Sequence, residues 1–249
     1  MLKKIISLNK TICKKIHHCF PQEQPNIFWL YEKTVAEYLN LKRDQIILDV
    51  GGGKYCPFAK HKDPKKNVTI IAFDLSEEQV RENHDVDEKL IANIMQHLPF
   101  KDHGVDLVVS RSVLEHVEDL EAFVVESKRV LKSNGYCVHV FSSKFAPFAV
   151  VNQLLPRSLS KKLLLYVRPE ARGIAGFPAY YNKCFYSSVK ALFQKHGYEI
   201  VEIQLNYFQK AYFSFFVPLF LIMALYEMLL QSCRIKNLCA HILIVTKKL

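Results

Sequence analysis

The sequence predicts an α/β fold, a mostly parallel sheet with helices on both faces. Three observations point to it. Short, nearly all-apolar runs recur at 46–50, 68–73, 105–110 and 136–141, as expected of strands buried on both faces. Segments with helical spacing of apolar residues lie between them, and that alternation produces parallel strands joined by crossover helices. The first run ends in Gly51-Gly52-Gly53, a turn whose backbone can come close to a ligand.

Taken in order, residues 1–20 have helical periodicity, with Leu2, Ile5, Ile6, Cys13, Ile16 and Phe20 on one side and five lysines opposite. Trp29 to Leu39 reads as a helix and 42–45 as a linker. Ile46 to Val50 is the first strand. Val68 to Phe73 is the second, closed by Asp74, and a helix starts near Ser76. Val105 to Ser110 is the next clear strand. Asp119 opens a helix with Leu120, Phe123, Val124 and Leu131 at helical spacing, which Gly135 is expected to stop before a strand at Tyr136 to Phe141. Ser187 to His196 is a helix ended by Gly197, and Tyr198 to Leu205 and Leu238 to Thr246 are late strands. The chain divides accordingly into N-terminal amphipathic and capping helices (1–40), a ligand-binding core (41–143), a capping insertion (144–186) and a C-terminal part of the sheet (187–249) that carries a hydrophobic helical insertion at 211–231.

Half of the 249 residues are hydrophobic, which excludes a wholly disordered chain and supports a sizeable core. Seven scattered cysteines without a C-x-x-C pair suit reduced thiols and a cytoplasmic protein. His17, His18, Cys19 and Cys13 lack ordinary ligand spacing, so no metal site is expected. The net charge of +10 lies outside residues 74–131, where fourteen acids face six basic residues. A positive surface facing an anionic partner and an ordinary solvated basic surface both fit that distribution.

The stretch 211–230 is long enough to span a membrane, broken by Pro218 and Glu227. If the two late strands share one sheet, a crossing between them is excluded, leaving an interfacial helix, a re-entrant hairpin or a buried helix. In 154–168, Leu155, Leu159, Leu163 and Tyr166 can share a face, with Arg157, Lys161 and Arg168 on another. With 1–20 and 211–231 it makes three segments suited to contact with a membrane surface; helices packed on the domain, or in a dimer, explain them equally.

Asp74 lies 21 residues beyond Gly53 at the tip of the second strand, where a carboxylate can hold ribose hydroxyls. These features fit a nucleotide-containing ligand of either of two kinds. A dinucleotide fingerprint is incomplete, since Cys56 stands where its third glycine belongs, and it leaves Asp49 without a role.

The same residues resemble motif I of the class I S-adenosylmethionine-dependent methyltransferases, [DE]-x-G-x-G-x-G, with Asp49, Gly51 and Gly53 matching and Tyr55 replacing the last glycine. Asp74 matches the acidic residue ending the second strand. Ala92-Asn93-Ile94 with Leu98-Pro99-Phe100 is similar to the family's D-A/I…L-P-F segment, with Asn93 in place of aspartate. Asp106 to Ser110, Val113-Leu114-Glu115-His116-Val117 and Arg129-Val130-Leu131-Lys132-x-x-Gly135 resemble the following blocks, in order and at family spacing. The resemblance covers roughly 45–142 and is nearest in style to the ubiquinone-biosynthesis-like, type 11 group.

It implies a Rossmann-like sheet of seven strands, mostly parallel, with a C-terminal antiparallel hairpin and capping helices. It implies S-adenosyl-L-methionine as cofactor: Gly51 and Gly53 facing its methionine part, Asp49 orienting the turn and the ammonium group, Asp74 with Leu75 at the ribose, Asn93 and Ile94 at the adenine, and Ser110 and Arg111 lining the crevice. His116 is the candidate base for a hydroxyl acceptor, and a helix-packing role fits it as well. Tyr180, Tyr181 and Tyr186 line an acceptor pocket or pack the cap. The expected activity is methyl transfer to a small-molecule acceptor, in particular a lipid or lipid-linked one. A non-catalytic membrane-associated scaffold and a nucleic-acid methyltransferase are the alternatives; nucleic acid is disfavoured because the basic segments are interleaved with aliphatics and no nucleic-acid module is appended.

Overall fold

In a computed structural model of the chain, residues 2–22, 25–167 and 177–249 are described. Arg168 and the stretch of the expected cap at 168–176 lie outside them. The first strand, β1 (Asp44–Val50), pairs in parallel with β2 (Asn67–Asp74) and with β4 (Val105–Arg111). A short edge strand, β3 (Glu88–Ile91), extends β2 in parallel, and β5 (Leu131–Ser142) extends β4. The last two strands, β6 (Tyr198–Asn206) and β7 (His241–Lys248), are antiparallel to each other, and β7 is antiparallel to β5. The order across the sheet is β3-β2-β1-β4-β5-β7-β6. The expected seven-stranded, mostly parallel sheet with its C-terminal hairpin is thus present.

Alternation along the strands builds two cores. On one face Ile47, Ile70, Leu107, Val109, Val138, Val140, Leu243 and Val245 meet Tyr31, Val35 and Leu39 of α2 (Ile27–Leu39). On the other, Leu48, Val50, Phe73, Val108, Phe141, Ile242 and Ile244 meet Phe123 and Val124 of α4 (Leu120–Val130) and Val189, Leu192 and Phe193 of α7 (Tyr186–Lys195). The helix starts follow capping chemistry. Asn26 accepts from the Phe28 and Trp29 N–H groups, Ser76 caps α3 (Glu77–Arg81), and Asp119 accepts from Glu121 and Ala122.

Gly135 does not stop α4. The helix ends at Val130 and runs straight into β5, which contains Gly135. A Cβ there would lie 2.7 Å from the Leu131 side chain and 3.0 Å from the Asp106 carbonyl oxygen, so this glycine serves close packing of the strand start. Asp106 itself faces away from the strand tips. It is buried, pairs with Lys42 and Lys132, and accepts from the Ile46 N–H.

The hydrophobic stretch 211–231 is not one helix. Residues 210–213 form a 3-10 turn, and α8 (Val217–Cys233) starts only afterwards, with Pro218 in its first turn. Proline is accommodated there because first-turn N–H groups have no intrahelical partner. The chain leaves β6, makes this helix and returns to the same sheet as β7. Among the described residues no helix is long and apolar enough to cross a membrane. The N-terminal helix α1 (Leu2–Ile16) packs on α8, with the Asn9 side-chain oxygen accepting from the Val217 N–H and Phe20 edge-on to Phe220. The 144–186 region begins with α5 (Pro147–Leu154) and α6 (Arg157–Val167).

Candidate active site

The turn after β1 is fixed from several sides. The Gly51 N–H donates to the Phe73 carbonyl at 2.7 Å, and the Gly53 N–H donates to the Asp74 carboxylate at 3.1 Å. Gly51 and Gly53 both have positive φ, +67° and +45°. A Cβ on Gly51 would sit 2.3 Å from a Val113 methyl carbon, so this glycine is required by both conformation and contact. The fully buried Asn83 amide donates to the Gly52 and Gly53 carbonyls at 3.1 Å each. Asn83 was not singled out by sequence, because an asparagine at the end of a short helix carries no distinguishing spacing.

Asp74 also accepts from the Ser76 N–H at 2.8 Å. Each of its oxygens is thereby anchored to backbone and retains a further lone pair. Asp49 is buried beneath the turn, with its carboxylate packed where a Gly52 Cβ would fall, at 3.1 Å. Burial raises its pKa to about 7; a hydrogen bond from the Cys56 thiol lowers it, nearby Asp74 raises it further, and Arg111 lowers it. Two carboxylates, one anchored at the rim and one held beneath, therefore flank the glycine turn.

The remaining residues divide by strand parity. Arg111 falls on the α2 face, where its guanidinium lies 5.0 Å from the centre of the Phe28 ring. Ser110, expected at the crevice, points to the opposite face. Its hydroxyl lies 2.7 Å from Nδ1 of His139, both residues being fully buried, and Phe123 and Phe193 pack on that imidazole. Asn93 lies in the loop after β3, and its side-chain oxygen accepts from the Met95 N–H at 2.9 Å, leaving one lone pair for anything else. Ile94 is buried against the core and Leu75 is exposed beside Asp74.

His116 ends a 3-10 turn and its Nδ1 is 2.9 Å from the Pro178 carbonyl. A carbonyl only accepts, so Nδ1 carries the proton and Nε2 is left as the acceptor nitrogen. The preceding Glu115 clamps the cap to the sheet. Its backbone carbonyl accepts from the Tyr180 and Tyr181 N–H groups, and its carboxylate accepts from the Ser142 N–H at 3.1 Å. Tyr181 is buried and Tyr186 half-buried in the same core. Burial raises the Glu115 carboxyl, the nearby His116 lowers it, and one of its oxygens has no partner.

Three further buried side chains stand at this edge. Tyr31 of α2 has a fully buried hydroxyl with no partner. His241, opposite Ser142 in the sheet, has two unpartnered ring nitrogens and a pKa pushed down to about 4 by burial. Phe28 meets its ring edge-on and Phe148, itself stacked on Tyr212, lies parallel to it. Gln209 has neither side-chain polar atom paired. Buried polar groups are nearly always hydrogen-bonded, so these unpartnered atoms are candidates for contact with a polar ligand. A nucleoside with an amino-acid tail fits this edge: a carboxylate for hydroxyls at Asp74, a glycine turn open to close approach, and charged groups of both signs at Asp49 and Arg111.

Residues 48–139 match the family model described as a methyltransferase domain. An uncharacterised protein of Methanocaldococcus jannaschii is 33% identical over 135 residues, half of this chain and 57% of that protein. Malonyl-[acyl-carrier protein] O-methyltransferase of Geobacter sulfurreducens is 33% identical over 94 residues, 36% of this chain and 35% of that one. The chain thus spans about half the length, or less, of these curated relatives. Among solved structures, geranyl diphosphate C-methyltransferase from Streptomyces coelicolor A3(2), in complex with Mg2+, a geranyl thiolodiphosphate and S-adenosyl-L-homocysteine, superposes with a TM-score of 0.57 at 12% identity, over 88% of this chain and 76% of that one.

Proposed function

We propose that this chain, whose residues 48–139 match the methyltransferase-domain model and whose sheet has the class I methyltransferase order, uses S-adenosyl-L-methionine to methylate a small apolar acceptor. The observation that carries the reading is the Gly51–Gly53 turn locked to Asp74 at the tips of β1 and β2. The bound cofactor supplies a methyl group already activated on a sulfonium sulfur. The protein's own work is to position and to exclude water. Asp74 holds the ribose hydroxyls, the loop at Asn93 and Ile94 takes the adenine, and the backbone of the glycine turn lies along the amino-acid part. Where the acceptor is a hydroxyl, Nε2 of His116 receives its proton, Nδ1 being committed to Pro178. The aromatic surroundings of His241 support an acceptor that is apolar with one polar end.

A titration of the folded protein with S-adenosylhomocysteine, with NADH as control, tests this reading. Binding in the micromolar range, weakened at least about tenfold by Asp74→Ala, is expected, since a lost charge-assisted hydrogen bond contributes roughly 1.5–3 kcal/mol. Absence of binding by folded wild-type protein overturns it.

A lipid or lipid-linked acceptor is the finer reading, and the α1–α8 surface supports it. On α8 Ile222, Leu225 and Leu229 are 57%, 62% and 58% exposed, with no exposed charge among residues 217–230. Beside them α1 exposes Leu2, Ile5, Leu8 and Ile12 together with Lys3, Lys4, Lys14 and Lys15, and carries no acid. An apolar strip bordered by lysines complements an anionic lipid surface. Co-sedimentation with anionic vesicles is the measurement that tests it.

A further inference from the structure

Two buried polar side chains stand at the roots of the segment that links β6 to β7, and neither belongs to the matched segment 48–139. Gln209 precedes the 3-10 turn at 210–213, and His241 opens β7. They are 2% and 4% exposed, and their four side-chain nitrogen and oxygen atoms lack a hydrogen-bond partner among the described residues. A buried amide or imidazole left unpaired costs free energy that the rest of the fold must offset, so two at one place need a reason.

Their surroundings supply one. Phe148 lies parallel to the His241 ring with centroids 5.6 Å apart, Phe28 meets it edge-on at 5.4 Å, and Tyr212 stacks on Phe148 at 4.5 Å. The Gln209 carbonyl accepts from the Tyr212 N–H at 2.9 Å, which ties Gln209 to the same stack. Phe28, Phe148 and Tyr212 are only half-buried, so the stack leads from His241 toward the surface. Phe28 also packs on the Arg111 guanidinium, 5.0 Å away at the tip of β4, and β4 is the neighbour of β1, which ends in the glycine turn. The polar pair thus stands at the same end of the sheet as that turn.

Burial lowers the His241 pKa to about 4, so at neutral pH the ring is uncharged and presents one donor and one acceptor. The Gln209 carboxamide presents the same two functions. Neither supplies the positive charge that a phosphate or carboxylate needs when it leaves water, and flat rings favour a flat partner. Resting on the methyl-transfer reading above, we propose that His241 and Gln209 hold the polar end of the acceptor, an uncharged hydroxyl on a planar ring, as in a phenol. The apolar part of the acceptor then lies along Phe28, Phe148 and Tyr212. A site that hydrogen-bonds a hydroxyl rejects the analogue lacking it, because its own polar atoms are then left unpaired.

Three probes of similar shape test the assignment in the full chain. Para-ethylphenol carries the hydroxyl, ethylbenzene lacks it, and para-ethylbenzoate puts a charge in its place. Affinities come from ligand-observed NMR titration, and the His241 imidazole resonances, identified by their loss in His241→Phe, locate the probe. The wild type is expected to bind para-ethylphenol at least about fivefold more tightly than either other probe, with the His241 resonances shifting. His241→Phe and Gln209→Leu should each weaken para-ethylphenol about three- to tenfold and leave ethylbenzene no weaker. Each variant removes buried atoms that have no partner, so each should raise the unfolding midpoint of the ligand-free chain. A fall in both midpoints would mean that those atoms already have partners, and overturns the proposal. Equal binding of the phenol and ethylbenzene, or variants that weaken neither, makes the cluster a packing feature and also overturns it. Tightest binding of para-ethylbenzoate, or no binding of any probe, has the same consequence. S-adenosylhomocysteine titrated into the same samples keeps the two readings apart. If it binds and the phenol does not, the acceptor assignment fails alone; if the phenol binds at His241 and S-adenosylhomocysteine does not, it is the methyltransferase reading that fails.

Discussion

Asp49 is ionised at neutral pH only at a cost, and that cost has a definite sign. Its pKa in the folded chain is raised from the usual carboxylate range to about 7, with burial the largest cause. Unfolded, the same group loses its proton near pH 4, so its unfavourable contribution grows as pH rises from about 4 to about 7 and is constant above. Asp49→Asn should therefore stabilise the ligand-free protein at pH 8, by up to about 4 kcal/mol in urea unfolding, and give no gain at pH 4. A gain at both pH values would show that something other than ionisation is involved. At this scale the sequence was legible where a strand end and a turn lie close together in the chain, as with Asp49, Gly51, Gly53 and Asp74. It was less so for Ser110, where one residue of parity along β4 turns its hydroxyl to the buried His139 while Arg111 turns to Phe28 of α2. Tyr31 and His241 were invisible, because only tertiary packing removes their partners.

The element whose behaviour depends most on one contact is α8. Its Glu227 is buried against Lys210, both side chains 3% exposed, and Lys210 also donates to the Pro21 carbonyl at 2.9 Å. Glu227 further accepts from the Gln209 and Lys210 backbone N–H groups. Removing one member of such a pair leaves an uncompensated buried charge, so Glu227→Ala should cost about 3–5 kcal/mol. The double variant Lys210→Met with Glu227→Leu should lose less than the single change, as chemical denaturation can establish; a larger loss would mean that the pair stabilises the helix outright. Glu227 was read from sequence as an interruption in a hydrophobic stretch, and the structure gives the reason for it: the carboxylate ties the helix to the turn that precedes it. The helices opened by Asp119 and Ser76 were legible because capping is local chemistry. The β3 strand was not, since Glu-Lys-Leu-Ile has no periodicity that four residues could reveal. The boundary between α4 and β5 was misjudged because a glycine required for packing looks, in sequence, like a helix stop.

On the scale of the whole molecule, charge and apolar exposure are arranged together. The helix α1 with its exposed lysines packs on α8, which exposes Ile222, Leu225 and Leu229, while the acid-rich stretch 74–131 supplies Asp74 beside the glycine turn and the clamp at Glu115. The chain should co-sediment with vesicles of phosphatidylcholine and phosphatidylglycerol at low salt and much less with phosphatidylcholine alone, each lysine near the surface contributing about 1 kcal/mol. Leu225→Glu should abolish the association without altering S-adenosylhomocysteine binding. Vesicle-independent dimerisation through the same strip, lost in Leu225→Glu, would assign the surface to a second copy of the chain instead. The order of the sheet was legible only through the resemblance, since no local pattern says that the last strand belongs between the fifth and the sixth.

That insertion of β7 between β5 and β6 sets the order in which the molecule can be completed. During synthesis 34 residues, 207–240, separate the end of β6 from the start of β7, and until β7 emerges β6 has nothing to pair with in the finished arrangement. The edge of β5 stays open for the same interval, with Val138, Val140 and Phe141 at its centre. A ribosome-bound chain that stops short of β7 thus presents two unpaired edges at once, the state in which β proteins are most prone to join one another. The strand that closes the sheet also brings His241 between Phe28 and Phe148, so that buried aromatic cluster cannot form until the last strand has been translated.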